Sequence, residues 1–129
     1  MIRVLREHAQ RLPSSLWALA VAPATWAAHF LFCYLYAAIH CAKAGRQAGL
    51  GAIRGEIGLA TLVALAIVAS VAFVAWAQSR VAGDAPPHQH ATDEDRIRFL
   101  ALAGLLLACL SAVAIAFTAL PAFLIGDCR

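Results

Sequence analysis

The sequence predicts an all-α integral membrane fold, with three transmembrane helices preceded by a short N-terminal interfacial helix. Of its 129 residues, 63% are hydrophobic and only 13% are charged. The mean hydropathy of +0.78 is more than a domain of this size can hide, because small domains leave much of their surface in water. Three stretches, Leu12 to Ala42, Ile57 to Ser79 and Phe99 to Gly126, contain no Asp, Glu, Lys or Arg. Each exceeds the ~20 residues that a helix needs to cross ~30 Å of hydrocarbon. Ala and Leu dominate these stretches, without the alternation of a barrel strand. A soluble enzyme, a disordered tail and a secreted disulfide scaffold are thereby excluded. A net charge of +3 with no dense basic stretch gives no reason to expect a nucleic-acid partner.

The elements follow in order within one membrane domain, residues 1–129. In the arm 1–12, Ile2, Leu5, Ala9 and Leu12 recur at helical spacing between Arg3, Arg6, Glu7 and Gln10, the pattern of a helix lying on a membrane surface. Pro13 and the hydroxyls of Ser14 and Ser15 open the first span, 14–42. Ala20-Val21-Ala22 imitates a signal-cleavage site, but Pro23 follows directly and the apolar run continues to Ala42, so a retained helix is expected. Gly45, Gly49, Gly51 and Gly55 predict a short flexible connection before the second span, 57–78. A polar linker, 79–92, holds Gly83, Pro86 and Pro87. Thr92 and the acids Asp93, Glu94 and Asp95 then cap the third span, 97–125.

Orientation is read from Lys and Arg near the membrane ends. Arg3, Arg6, Arg11, Arg80, Arg96 and Arg98 fall on one side; Lys43, Arg46, Arg54 and Arg129 fall on the other. The larger set predicts a cytoplasmic N-terminus, a periplasmic C-terminus and a bacterial inner-membrane location.

The first span carries the candidate site. Trp26, His29, Cys33, Tyr36 and His40 are separated by three or four residues and so share one helix face. A mid-membrane histidine is costly against lipid, so His29 is expected to face another helix or a bound group. The first and third helices run in the same direction. Cys109 lies eleven residues beyond Arg98, and His29 lies at a similar depth beyond Leu16. His29, Cys33 and Cys109 are therefore a candidate metal set for Cu(I), and His29 with Cys33 is a candidate cofactor contact, haem included. The structural reading of the same face is packing and interhelical hydrogen bonding, with Ser70, Ser111 and Thr118 available to His29 and with Trp26, Tyr36 and His40 as interface residues. His88 and His90 are read as part of a solvated linker.

Cys41 and Cys128 both reach the outer face in the predicted orientation, where thiols tend to oxidise, so a Cys41–Cys128 disulfide tying the first helix to the C-terminal tail is expected. Pro121 is expected to turn the end of the third helix toward it. The alternative is an outward cluster of Cys41, Cys128 and His40 for copper capture or thiol exchange.

The run Trp26-Ala-Ala-His29-Phe-Leu-Phe-Cys33-Tyr34, with Cys41 after it and Ala119-Leu120-Pro121 before Cys128, resembles a family of small bacterial membrane proteins encoded beside terminal-oxidase components. The resemblance covers the first and third helices and implies a respiratory context, with no chemistry to carry over. Three functions are consistent with these features. The first is a non-catalytic accessory subunit or assembly factor of a haem–copper terminal oxidase, meeting larger membrane subunits through small-residue faces such as Ala60, Ala64, Ala108 and Ala112. The second is a stand-alone haem or copper protein. The third is a small transporter or thiol oxidoreductase. Lipid is a partner in all of them, and the first is the reading adopted, with no enzyme activity expected.

Overall fold

A computed structural model describes residues 3, 4, 7, 16–45, 51–80, 93–125 and 128. Among these residues the protein is all-helical: α1 spans Leu16–Ala44, α2 Gly51–Ser79 and α3 Asp93–Leu124. All three are long and apolar enough to cross a membrane, so this is a multi-pass membrane protein with lipid around its apolar faces. Arg3, Val4 and Glu7 are helical. The rest of the expected interfacial arm lies outside the described residues, as do the linker from 81 to 92, His88 and His90 included, and Gly49.

The helices form an up–down–up bundle. Arg54 at the start of α2 meets Ala122 and Ile125 at the end of α3. At the opposite end, a Cβ on Gly104 of α3 would lie 3.4 Å from Leu19 of α1 and 3.8 Å from Ala75 of α2, so the three backbones converge there. The α2–α3 interface is the most extensive, and α1 packs across both.

Burial is inverted relative to a water-soluble bundle. The inner cluster is Ala22, Ala64, Val68, Ala108 and Ile115, with Ala72 and Ala112 packed against it. Leu62, Leu106, Leu110 and Phe117 point outward. Small residues inside let the helices approach closely, and large apolar residues outside cost nothing against lipid tails. Two expectations are corrected here. Ala64 and Ala108 are consumed by the bundle's own core, Ala112 packs on that core, and Ala60 is half-buried. These small-residue faces are therefore not free for another subunit.

The second correction concerns the start of α2, which begins at Gly51 rather than Ile57. Glycines weaken an isolated helix by about 1 kcal/mol each, which is why the sequence reads as a loop. The first turns of α2 are held by tertiary contacts: Ile53 and Ile57 are buried beside Cys33, and Arg54 bonds across to α3. Gly45 ends α1 with φ +84° and donates its N–H to the Cys41 carbonyl at 3.1 Å, a left-handed C-cap that suits glycine. α3 does not stop at Pro121 but continues to Leu124, with the Ile125 N–H bonded to the Pro121 carbonyl at 2.8 Å.

Hydroxyls in the spans close locally. Thr25, Thr61, Ser70 and Thr118 each donate to the carbonyl four residues back, at 2.7–2.8 Å, so no hydroxyl proton of these residues is left in hydrocarbon.

Ala108→Leu inserts bulk into a fully buried contact and is expected to lower stability by about 1–3 kcal/mol. Leu106→Ala, on the lipid face, leaves it close to wild type. Thermal melts followed by circular dichroism in mild detergent check both; equal effects of the two substitutions would contradict the packing.

Candidate functional site

The expected stripe on α1 divides. His29 and Cys33 are buried, Tyr36 and His40 are half-buried, and Trp26 is exposed. At about 100° per residue, Trp26 sits some 60° from His29 and on the far side from Cys33, so it falls on the rim of the stripe. There it begins an outward aromatic ladder. Trp26 and Phe30 lie 6.4 Å apart, and Phe30 and Tyr34 lie 6.2 Å apart with an interplanar angle of 13°.

His29 meets α2. Its Nε2 lies 3.0 Å from Thr61 Oγ1 and 3.4 Å from Cys33 Sγ. The proton positions follow from an inventory. Thr61 has one hydroxyl proton, and it is donated to the Ile57 carbonyl at 2.7 Å. Toward His29, Thr61 therefore accepts, and the neutral imidazole carries its proton on Nε2. Nδ1 is then an unprotonated lone pair, buried and without a hydrogen-bond partner. The opposite tautomer would leave a buried N–H unmade, which is costly in hydrocarbon.

This arrangement bears on the candidate cofactors. A copper ion between Nε2 and Sγ would displace the Nε2 proton to Nδ1, where nothing accepts it. Cys109 does not join the pair: it is exposed on α3, while its neighbour Ala108 faces the core. Among the described residues no three His, Cys, Asp or Glu side chains come together as a metal-holding group. His29 is also absent from the lining of two cavities beside the bundle, of about 250 and 420 Å³. His29, Cys33 and Thr61 form a closed interhelical hydrogen-bond node. Ser70 and Thr118, expected as partners of His29, bond to their own helices instead.

One end of the bundle holds a second set of polar contacts. Tyr36 Oη donates to Glu56 Oε2 at 2.6 Å, joining α1 to α2. Arg54 Nε and Nη2 donate to the Ala122 and Ile125 carbonyls at 3.0 and 3.2 Å, joining α2 to α3. A guanidinium at a helix C-terminus also answers the negative end of the helix dipole. Cys41 and Cys128 are joined by a disulfide with Cα atoms 5.6 Å apart, tying α1 to the segment after α3. Because both sulfurs are bonded to each other, Cys41, Cys128 and His40 do not form an open thiol cluster. His40 Nε2 is buried without a hydrogen-bond partner.

Beneath these ties lies the larger cavity, about 420 Å³ and open on one side, lined by Phe30, Cys33, Tyr34, Cys41, Pro121 and Cys128 among others.

Sequence reasoning missed Arg54, Glu56 and Thr61. A signal for two of them existed. In an antiparallel hairpin, residues pair at mirrored positions about the loop. Tyr36 and His29 are seven residues apart on α1, and their partners Glu56 and Thr61 are five apart on α2. Thr61 is the sole threonine of the second span.

Thr61→Val removes the acceptor of the His29 N–H. In a double-mutant cycle with His29→Leu, the two substitutions are expected to be non-additive by roughly 1 kcal/mol, the range of interhelical hydrogen bonds in bilayers. Strict additivity in detergent unfolding would remove the bond from the account.

In comparisons with family models, curated proteins and solved structures, the chain matches none of them.

Proposed function

We propose that this chain is a non-catalytic accessory subunit or assembly factor of a haem–copper respiratory terminal oxidase, in a bacterial inner membrane with its N-terminus in the cytoplasm. The observation that carries the choice over a stand-alone cofactor protein is the engagement of His29. The mid-membrane imidazole closes the bundle against Thr61, while the large aromatics of the same helix, Trp26, Phe30 and Tyr34, face outward. A helix with its polar face turned inward and an aromatic ladder outside offers its contact area to another membrane subunit.

The respiratory context is supported by the resemblance of the Trp26–Cys41 run and the Pro121–Cys128 segment to proteins encoded beside oxidase components. The orientation is supported by the Lys and Arg distribution and by the disulfide, which belongs on an oxidising side.

The test is affinity purification of the tagged chain from bacterial membranes in mild detergent. Large oxidase subunits are expected to co-purify, together with their haem spectrum, and a combined Trp26→Ala, Phe30→Ala and Tyr34→Ala variant is expected to lose them. His29→Ala should leave the metal content of the isolated chain unchanged. Haem or copper that stays with the chain after all larger polypeptides are removed, and disappears in His29→Ala, would replace this reading with a cofactor protein.

A further inference from the structure

The cavity at the tied end has a wall of unusual composition. Three of the chain's four cysteines line it: Cys33 and both partners of the disulfide. A disulfide serving only as a staple needs no access from the bundle interior. Here both bonded residues border an apolar space open on one side; Cys41 lies in the first membrane-spanning helix and Cys128 just beyond the end of the third. Phe30 and Tyr34, stacked 6.2 Å apart, stand in the same wall and supply the aromatic surface that a planar ring favours. At about 420 Å³ the cavity lies within the ~300–1,000 Å³ range of small-molecule sites.

We infer that this cavity admits the head ring of a lipid-soluble quinone, and that the quinone is the oxidant that closes the Cys41–Cys128 bond. The chemistry balances without another reactant. The Cys41 thiolate adds to a ring carbon, forming an S–C bond. The Cys128 thiolate attacks the Cys41 sulfur, so the S–S bond forms as the S–C bond breaks and its electron pair returns to the ring. The two thiol protons end on the two ring oxygens. Two thiols and one quinone become one disulfide and one hydroquinone. The step is a single maturation event of this chain; it shares Phe30 and Tyr34 with the surface proposed to meet the oxidase, and its test needs no oxidase.

Charged, water-soluble oxidants are poorly matched to an apolar wall, whereas a quinone is carried in the lipid around the helices. Cys33 is not placed to bond Cys41. It lies eight residues before Cys41, about 12 Å along the helix, well beyond the ~4.4–6.8 Å between Cα atoms that a disulfide spans.

The experiment uses the full chain in lipid nanodiscs, reduced by a dithiol, freed of reductant and kept without oxygen. Decylubiquinone is added. The expected result is loss of two thiols per chain, counted by maleimide mass shift, matched by one equivalent of quinone reduced, with Cys33→Ala behaving as wild type. Ala38→Trp places an indole in the cavity wall and is expected to lose the quinone-driven reaction while the small water-soluble oxidant diamide still closes the bond. For the unaltered chain, a redox-inert dimethyl ether of the hydroquinone should slow oxidation, and a plain alkane of the same tail length should not. Thiol loss no faster than the quinone-free blank, an Ala38→Trp chain oxidised as fast as wild type, or equal slowing by the alkane would each overturn the inference.

Discussion

Helices in a bilayer gain no hydrophobic free energy by associating, because lipid tails are as apolar as leucine. Something else must hold them in register, and one end of this bundle carries a covalent and hydrogen-bonded set of ties that does so. Tyr36 to Glu56, Arg54 to the carbonyls ending α3, and Cys41 to Cys128 connect every element to its neighbours within the last turns of α1 and α3 and the first turns of α2. The hydrogen bonds involve charged groups near the helix ends, and such bonds are stronger than neutral ones. The node of His29, Thr61 and Cys33 then fixes the α1–α2 register farther inside. Close packing of small residues along the core works only once the helices are already aligned.

Two ends of the bundle differ in kind. The tied end combines a covalent link, a forked guanidinium and the larger cavity. At the other end Gly104 lets Leu19 and Ala75 close in, Gln78 and Asp95 are buried, and Arg80 lies 4.4 Å over the Trp76 ring. That cation–π contact shields an arginine stem at the membrane boundary.

The three spans were legible because the bilayer imposes one length and one backbone solution, and water-soluble folds seldom contain uncharged runs that long. The burial of His29 was legible for the same reason: lipid penalises an imidazole on the outer face. Its partner was not found by periodicity within one helix, which says nothing about a neighbour's register; only the mirrored positions of the α1–α2 hairpin point to Thr61. Trp26 was misplaced because three-or-four spacing admits residues that drift to the rim of a face. The early start of α2 was hidden by Gly51 and Gly55, whose local preference is overruled by Ile53, Arg54 and Ile57. The metal set failed at Cys109, since equal depth does not make two residues face one another.

The disulfide joins positions 87 residues apart, and that separation changes the connectivity of the polymer. From Cys41 onward, the chain through α2, the linker and α3 to Cys128 is a closed covalent ring, with the greater part of α1 attached as a tail. A single backbone break anywhere inside the ring opens it without dividing the molecule. A peptidase that clips the linker between α2 and α3 therefore leaves one covalent species of unchanged mass apart from the added water. From the ring itself, only a second cut within it, or reduction of the bond, then releases a fragment.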